Sequence, residues 1–584
     1  MAMVLQCGNQ GSYLLGVLAV INSIDKTAIM TAPTPTDTNP KTSADARAMM
    51  ADNRIKSVRR YVPPVLLGII LIFAALLRVR MLSVPLERDE GEYAYFAQLI
   101  LDGHPPYQYA YTMKLPGICY AYAAGMALFG GDIAGIHIAF LLVNLLTITL
   151  LFFLSRNLAG SFAGIVAAAS YAVLSSDAGV LGFHAHATHY VVLFASLGAL
   201  LLERATRRKS QLLFVLSGLS MGLAFLMKQH GIFFIVFGIL WIAADAYKMR
   251  REIKAWLTRA GLFVEASAIP YVAVCLAMWL YGVFPKFWFW TFTYARAYTG
   301  EISLRDAAIV FRANLGEVLH GPFWLWCIGA GALAGLLVVR RTRQQYIFVL
   351  LFAFCGAVAV CPGLFFRTHY FVLFLPALAL AIGVGSAELH RLFRERRSRW
   401  LRLAPAAVLV LAIWISLYRS RAYFFELSPV EEVRFNYGNN PFLEAIPIAR
   451  YIQKHTGPTD RICILGSEPE ILFYTHRLSA TGHIYTYGLM EPQPYAREMQ
   501  HEFMTETERS MPEFVVFVPL NTSWLRNSRS VPDLWEWIPK FLTAQYDRVG
   551  VINIEGERTD YFWDESAQHA APTRAHVLVF RRRH

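Results

Sequence analysis

Long apolar blocks, separated by short polar segments, dominate the middle of the chain. About eleven of them are long enough, or nearly long enough, to cross a bilayer as a helix. They cover residues 61–82, 133–155, 159–176, 189–203, 211–227, 230–247, 261–282, 321–340, 345–361, 368–387 and 404–419. The pattern predicts a polytopic α-helical membrane protein with about 11 transmembrane helices and additional juxtamembrane helices.

Composition and charge agree with this prediction. The 584 residues are 56% hydrophobic and 16% charged, whereas soluble domains are about half apolar and a quarter charged. This excludes a soluble enzyme, a disulfide-rich secreted module and a disordered chain. The net charge of +13 fits basic residues that set topology at helix ends, so we expect membrane lipids and no nucleic acid as partners. The seven cysteines show no spacing typical of zinc or disulfides.

Basic clusters between the blocks predict which loops are cytoplasmic. They lie at 204–209, 248–259, 340–343 and 391–402, and an excess of Lys and Arg marks the cytoplasmic side. Successive spans must alternate between the two sides of the membrane, and these clusters can all be cytoplasmic only if the apolar stretch 115–131 does not cross. We interpret this stretch as an interfacial or re-entrant helix. The short loop at Arg156 is then cytoplasmic, and the sequence places these segments outside: 83–132, 177–188, 228–229, 283–320, 362–367 and 420–584.

Three regions follow from this topology. Residues 1–60, which include the Pro/Thr-rich segment Thr31–Ser43, are predicted to be a disordered cytoplasmic tail. Residues 61–419 are predicted to form the transmembrane domain. Residues 420–584 are predicted to be a small extracytoplasmic α/β domain, because strand-like and helix-like segments alternate. The predicted strands are 461–466, 514–519 and 577–580, and the predicted helices are 468–476 and 535–542.

The first external loop is the most informative segment for chemistry. It begins with an acidic cluster, Asp89, Glu90 and Glu92, at the start of a predicted juxtamembrane helix. One interpretation is structural: Asp89 caps the helix and Glu92 completes a capping box. The other is chemical: a carboxylate here takes a proton from a hydroxyl nucleophile. The two roles are compatible.

Cationic side chains at other external ends complete the candidate site. Lys114, Lys228 and Arg367, with His369 beside the last, lie where the predicted topology puts them on the same side of the membrane. Such cations can neutralise a phosphate at the bilayer surface. The structural alternatives are a snorkelling lysine at a helix end and an interfacial arginine anchor.

These elements resemble a known family. The segment Arg88–Tyr93, followed by Lys114–Gly117, resembles the first periplasmic loop of GT-C glycosyltransferases. The resemblance is to bacterial proteins related to protein O-mannosyltransferases, the lipid A aminoarabinose transferase and Rgt-type galacturonosyltransferases. The segments Leu226–His230 and Arg367–Tyr370 look like further family elements, so the likeness covers about 61–400.

The resemblance implies a membrane glycosyltransferase of the bacterial inner membrane, multi-pass, with an extracytoplasmic active site. The sugar would move from a polyprenyl-phosphate donor to a lipid, glycan or protein acceptor with inversion. Asp89 would be the catalytic residue, and the substrate-binding residues would be Glu90, Glu92, Lys114, Lys228, Arg367 and His369. Alternatives are a secondary transporter, which should carry charged residues inside its spans, and a non-catalytic membrane scaffold.

One loop departs from the family. Many relatives carry a second carboxylate after the third span, but residues 182–189 contain none, and Asp177 is the nearest. Three histidines, His184, His186 and His189, occupy the loop and are candidate ligands for a divalent metal such as zinc. No cofactor is otherwise indicated. The C-terminal segments Gly466–Glu470 and Thr481–Tyr485 also look familiar from bacterial relatives, without an assigned role.

Overall fold

The computed structural model describes residues 61–248, 253–300, 302–338, 344–394 and 399–584. The predicted disordered tail lies outside these ranges. Residues Val65–His584 form one compact unit. Of the other unit, Met1–Pro64, the structure describes only residues 61–64, which are helical.

Each apolar block of the sequence overlaps one long helix, and the block 368–387 begins with the separate 3₁₀ helix Thr368–Leu373. The helices are Tyr61–Val79, Ile133–Ala159, Ser161–Leu174, Ala187–Arg208, Gln211–Met227, Ile232–Lys248, Ile253–Leu280, Phe323–Val338, Gln344–Ala359, Leu375–Arg394 and Arg399–Arg419. Apolar side chains on these helices are widely exposed, as Trp279 (67%) and Leu280 (69%) illustrate. A soluble protein would bury such residues, so this exposure is typical of lipid-facing surfaces.

Fewer helices than the predicted eleven satisfy criteria of length and apolar composition for a membrane span. Within the described ranges, 5 helices are long and apolar enough to cross a membrane. A sixth is possible if Leu304–His320 and Phe323–Val338, which meet at 110°, form one broken span. A mostly helical membrane protein is therefore confirmed, and the count of eleven spans stays a prediction.

Shorter helices connect the long ones at what we predict to be the external side. The helix Gly117–Phe129 has 13 residues, too few for a bilayer crossing of about 20 residues. The others are Arg88–Leu101, Phe284–Trp288, the π-helix Phe289–Tyr294, Ala295–Tyr298, Leu304–His320, the short 3₁₀ turns Ala178–Val180, Gln229–Gly231, Pro362–Leu364 and Thr368–Leu373, the π-helix Ala422–Glu426 and the helix Pro429–Tyr437.

The C-terminal residues build a six-stranded mixed sheet. Its strands are β1 Arg461–Leu465, β2 Leu478–Ser479, β3 Phe514–Phe517, β4 Tyr546–Glu555, β5 Arg558–Trp563 and β6 His576–Arg582, in the order β2-β1-β3-β6-β4-β5. The first three are mutually parallel and the rest antiparallel. Helices Ala445–Lys454, Pro469–Thr475, Tyr487–Met490, Ala496–Ser510, Asn521–Trp524, Asp533–Gln545 and Glu565–His569 accompany it.

The three predicted strands and two predicted helices of this region are present. The hairpin of β4 and β5 was not predicted, although it has a turn signal. Gly556 lies in the connection with φ of 65°, a backbone conformation that glycine adopts without a steric penalty.

Candidate active site

The helix that carries the acidic cluster begins one residue before Asp89. Glu87 is its N-cap: the Glu87 side chain accepts from the Glu90 amide, and the Glu90 side chain accepts from the Glu87 amide. The prediction that Asp89 and Glu92 form the capping box was therefore wrong by two residues. Because neither side chain is needed to cap the helix, both are available for other contacts.

Those contacts are made to Lys114. Its Nζ lies 2.8 Å from Asp89 Oδ1 and 2.5 Å from Glu92 Oε2. The ammonium group also lies 4.5 Å from the ring centroid of Tyr93. A charge-assisted pair of this kind is stronger than a neutral hydrogen bond, so the first two motifs of the loop are joined by one ammonium group.

A close backbone approach brings the Lys114 segment to the Lys228 segment. A Cβ built on Gly117 would lie 2.5 Å from the carbonyl oxygen of Leu226, so only glycine fits there without displacing the backbone. Lys228 follows directly after the helix Gln211–Met227, and its Nζ lies 4.0 Å from the ring centroid of Tyr370. Two elements that are far apart in sequence thus meet at one place.

One cavity collects most of the predicted site residues. Asp89, Glu92, Lys114, Lys228 and Arg367 all line it. Lys228 and Arg367 are cap residues of helical segments, and Lys114 lies in the loop before the helix Gly117–Phe129. The cavity therefore combines these three cationic side chains with the carboxylates of Asp89 and Glu92 and, on another side, that of Glu491.

Sequence reasoning missed the aromatic walls of this cavity. They comprise Tyr111, Trp290, Tyr294, Tyr298, Tyr370, Tyr485 and Tyr487, and Glu491 completes them on one side. Trp290, Tyr294 and Tyr298 are spaced by four residues, which is a helical signal inside a segment that we had predicted only as a loop. Periodicity cannot show that Tyr485 and Tyr487, from the C-terminal region, reach the same place.

Glu90 does not line the cavity. It is fully buried, and its carboxylate accepts from the backbone amide of Ala185 at 2.6 Å and lies within 3.1 Å of His137 and 2.8 Å of His184. The other ring nitrogen of His184 lies 3.2 Å from Glu432 Oε2. This buried network accounts for the charge of Glu90, so its position does not support the prediction that it binds substrate.

Of the three candidate metal-binding histidines, His186 belongs to a group of side chains in the described part of the chain whose ligand atoms could hold one metal ion. Ligand atoms of Asp89, His186 and His369 all lie within 4.8 Å of one another. The rings of His186 and His369 are stacked with centroids 4.2 Å apart. His184 belongs to the Glu90 network, and His189 packs on the ring of Phe140. The three histidines of the loop therefore do not form one metal site, and the candidate ligands are Asp89, His186 and His369.

The donor set of this trio suits a divalent ion. Burial lowers the pKa of His186 to about 3 and that of His369 well below its ordinary value, so both rings are neutral. Two neutral imidazoles and a carboxylate are typical ligands of zinc and similar ions. A metal ion at this position would compete with Lys114 for the Asp89 carboxylate, which is already paired with the Lys114 ammonium group.

Charge and burial act in opposite directions on Asp89. Burial alone would raise the pKa of Asp89, but the nearby positive charge of Lys114 outweighs it and holds the pKa below its usual value. Burial lowers the pKa of Lys228 to about 7, which makes this amine ready to gain charge when an anion enters. The shift at Lys228 favours an anionic ligand, because an anion beside the amine stabilises its charged form.

Asp177, the carboxylate nearest to the histidine loop in sequence, is occupied elsewhere. It caps the 3₁₀ turn Ala178–Val180 by accepting from the Gly179 amide at 2.9 Å, and it accepts from Ser420 Oγ at 3.3 Å. It does not line the cavity, so it does not replace the second carboxylate of the family.

Known proteins are similar to this chain in sequence pattern or in fold. Residues 106–278 match the family described as dolichyl-phosphate-mannose-protein mannosyltransferase. ArnT from Cupriavidus metallidurans, in the apo state, has 16% sequence identity and a TM-score of 0.58, and the match covers 88% of this chain and 100% of that one. The chain has the GT-C glycosyltransferase fold. The predicted resemblance to this class of membrane enzymes is confirmed at the level of the fold.

Two further GT-C structures match over similar lengths. ArnT bound to undecaprenyl phosphate has 16% identity and a TM-score of 0.57, with 88% of this chain and 97% of that chain covered. The archaeal oligosaccharyltransferase AglB from Archaeoglobus fulgidus, in complex with an inhibitory peptide and a dolichol-phosphate, has 13% identity and a TM-score of 0.52, with 88% and 75% covered. No curated protein matches in sequence.

Proposed function

We propose that the protein transfers a glycosyl group from a polyprenyl-phosphate donor to an acceptor, with inversion at the anomeric carbon. The observation that carries this proposal is the single cavity in which Lys114, Lys228 and Arg367 stand beside Asp89. The match to GT-C enzymes, two of which were solved with polyprenyl-type phosphates, supports the choice of donor.

The chemistry requires few groups. The acceptor oxygen forms a bond to the anomeric carbon while the bond from that carbon to the phosphate oxygen breaks. The polyprenyl phosphate leaves as a stable anion, so no general acid is needed, and the three cations stabilise its charge. Asp89 orients the acceptor hydroxyl and takes its proton. A phosphate that shares the charge of Lys114 would raise the pKa of Asp89 toward the range of a useful base.

We propose the same sidedness and regions as the sequence predicts. The cavity lies on the extracytoplasmic face of a bacterial inner membrane, residues 61–419 carry the spans, and residues 420–584 lie outside. A secondary transporter would place its charges near the middle of its spans, whereas Lys228 and Arg367 are cap residues and Lys114 lies in a loop. A scaffold would not need a cationic cavity.

Turnover tests the proposal directly. Protein reconstituted in nanodiscs is incubated with dolichyl-phosphate mannose first and then with other polyprenyl-phosphate sugars, and released polyprenyl phosphate is measured. Release that is strongly reduced in Arg367→Ala would support the proposal, and no release from any donor would contradict it. Mass spectrometry of envelope glycans from a deletion strain would then identify sugar and acceptor.

A further inference from the structure

The turn after strand β1 holds the helix that carries Asp89. Arg88 immediately precedes Asp89, and its Nε donates to the carbonyl oxygen of Ser467 at 2.5 Å. A second guanidinium nitrogen lies 3.0 Å from Glu468 Oε1. The segment Gly466–Glu470, which the sequence left without a role, therefore meets the acidic loop across 379 residues of sequence.

This contact is buried on both sides. Glu468 is fully buried, and Arg88 is 9% exposed. The second carboxylate oxygen of Glu468 accepts from Ser523 Oγ at 2.7 Å. The guanidinium carbon of Arg88 lies 5.4 Å from the ring centroid of Tyr487, whose side chain lines the cavity. Because breaking one partner of a buried pair leaves an uncompensated charge, the pair fixes the start of the helix firmly.

A second contact lies one helical turn further on. A Cβ built on Gly91 would lie 2.6 Å from both the amide nitrogen and the Cβ of Glu470. The helix backbone therefore rests directly on the turn, and only glycine permits this approach. Asp89 lies between the two contacts, at Arg88 and at Gly91, so the turn determines both the position and the rotation of the helix at Asp89.

We propose that Arg88 and Glu468 are positioning residues for the glycosyl transfer: they hold the Asp89 carboxylate where it meets the acceptor. The inference rests on the proposed function, because it assumes that Asp89 acts on the acceptor. A displacement of about 1 Å in a reacting group can cost roughly a hundredfold in rate. The C-terminal region is then part of the active site and not an accessory module.

A double-mutant cycle separates positioning from simple stabilisation. Glu468→Gln is made in the wild-type protein and in Asp89→Asn, and turnover is measured with the polyprenyl-phosphate sugar that supports release. We expect kcat to fall about tenfold or more in the wild-type background with little change in donor KM, and no further fall in the Asp89→Asn background. Glu513→Gln, a buried carboxylate paired with Arg581, is the matched control and should leave kcat unchanged.

The outcomes are distinct. Equal losses in both backgrounds would show that Glu468 only stabilises the fold and would overturn the inference. Full activity of Asp89→Asn would instead contradict the proposed role of Asp89. Should Glu468→Gln not fold, Arg88→Lys is the milder variant, since it keeps the charge but loses the planar fork. The same cycle then applies, and additive losses would again overturn the inference.

Discussion

Lys114 and Asp89 form an ion pair of 2.8 Å between Nζ and Oδ1, although 24 residues separate them along the chain. The pair joins the only side chain that we propose as a base to one of the cations that we propose to bind phosphate. Donor binding and proton acceptance are therefore coupled through one ammonium group. A donor phosphate that draws Lys114 toward itself frees the carboxylate for the acceptor.

Replacing Asp89 by Asn tests this coupling. We expect turnover to fall by roughly 10²–10⁴-fold, because an amide cannot accept the acceptor proton. The fold should persist, since the helix is capped by Glu87 and not by Asp89. Turnover and melting temperature are measured on the same preparation.

Two comparisons sharpen that test. Asp132→Asn changes an exposed N-cap at the end of the same predicted external loop and should retain wild-type turnover, because Asn caps about as well as Asp. Glu92→Gln removes the second negative charge at Lys114 and should cost less than Asp89→Asn. Near-wild-type turnover by Asp89→Asn would remove Asp89 from the mechanism.

The sequence predicted the fold better than the site geometry. Helix positions followed from apolar blocks because burial in lipid needs an almost continuous apolar run. The grouping of Asp89, Lys114, Lys228 and Arg367 followed from topology and family resemblance. The cap was misplaced because Glu87 and Asp89 are chemically similar, and only the backbone shows where the first turn begins.

Contacts between distant segments were the part that sequence could not supply. Glu90 looked like a substrate ligand by its position beside Asp89, but a helix places neighbouring side chains about 100° apart. It therefore meets His184 and not the cavity. Likewise, Tyr485 reaches the cavity only because the C-terminal sheet packs on the first loop, and no local pattern encodes that contact.

Arg367→Ala and Lys228→Ala should each weaken use of the donor. A charge-assisted hydrogen bond contributes about 1.5–3 kcal/mol, so we expect kcat/KM for the donor to fall by roughly ten- to a hundredfold. Arg583→Ala, which breaks an exposed ion pair with Asp547, is the matched control. Unchanged kinetics of both cavity variants would return Arg367 and Lys228 to purely interfacial roles.

A divalent ion should bind at Asp89, His186 and His369. We expect metal-free protein to take up about one Zn²⁺ per chain in a calorimetric titration, because two neutral imidazoles and a carboxylate converge there. His186→Ala should abolish this binding, whereas His501→Ala, an exposed histidine outside the cavity, should not. Retention of the ion by His186→Ala would show that zinc binds elsewhere.

The last prediction concerns the predicted external position of the first loop, because the whole candidate site depends on it. The 13-residue helix Gly117–Phe129 is predicted not to cross, so the exposed residues Gln108 and Gly131 on either side of it should lie on the same face of the membrane. In a variant without native cysteines, a single Cys at either position should react with a membrane-impermeant maleimide added outside. A Cys at Tyr247, which is 90% exposed beside a predicted cytoplasmic cluster, should react only after lysis. Labelling of 108 and 131 from opposite sides would show that 115–131 crosses the membrane, and every later loop would then change sides. Asp89 would lie across the bilayer from Lys228 and Arg367, which is incompatible with the cavity that all three line.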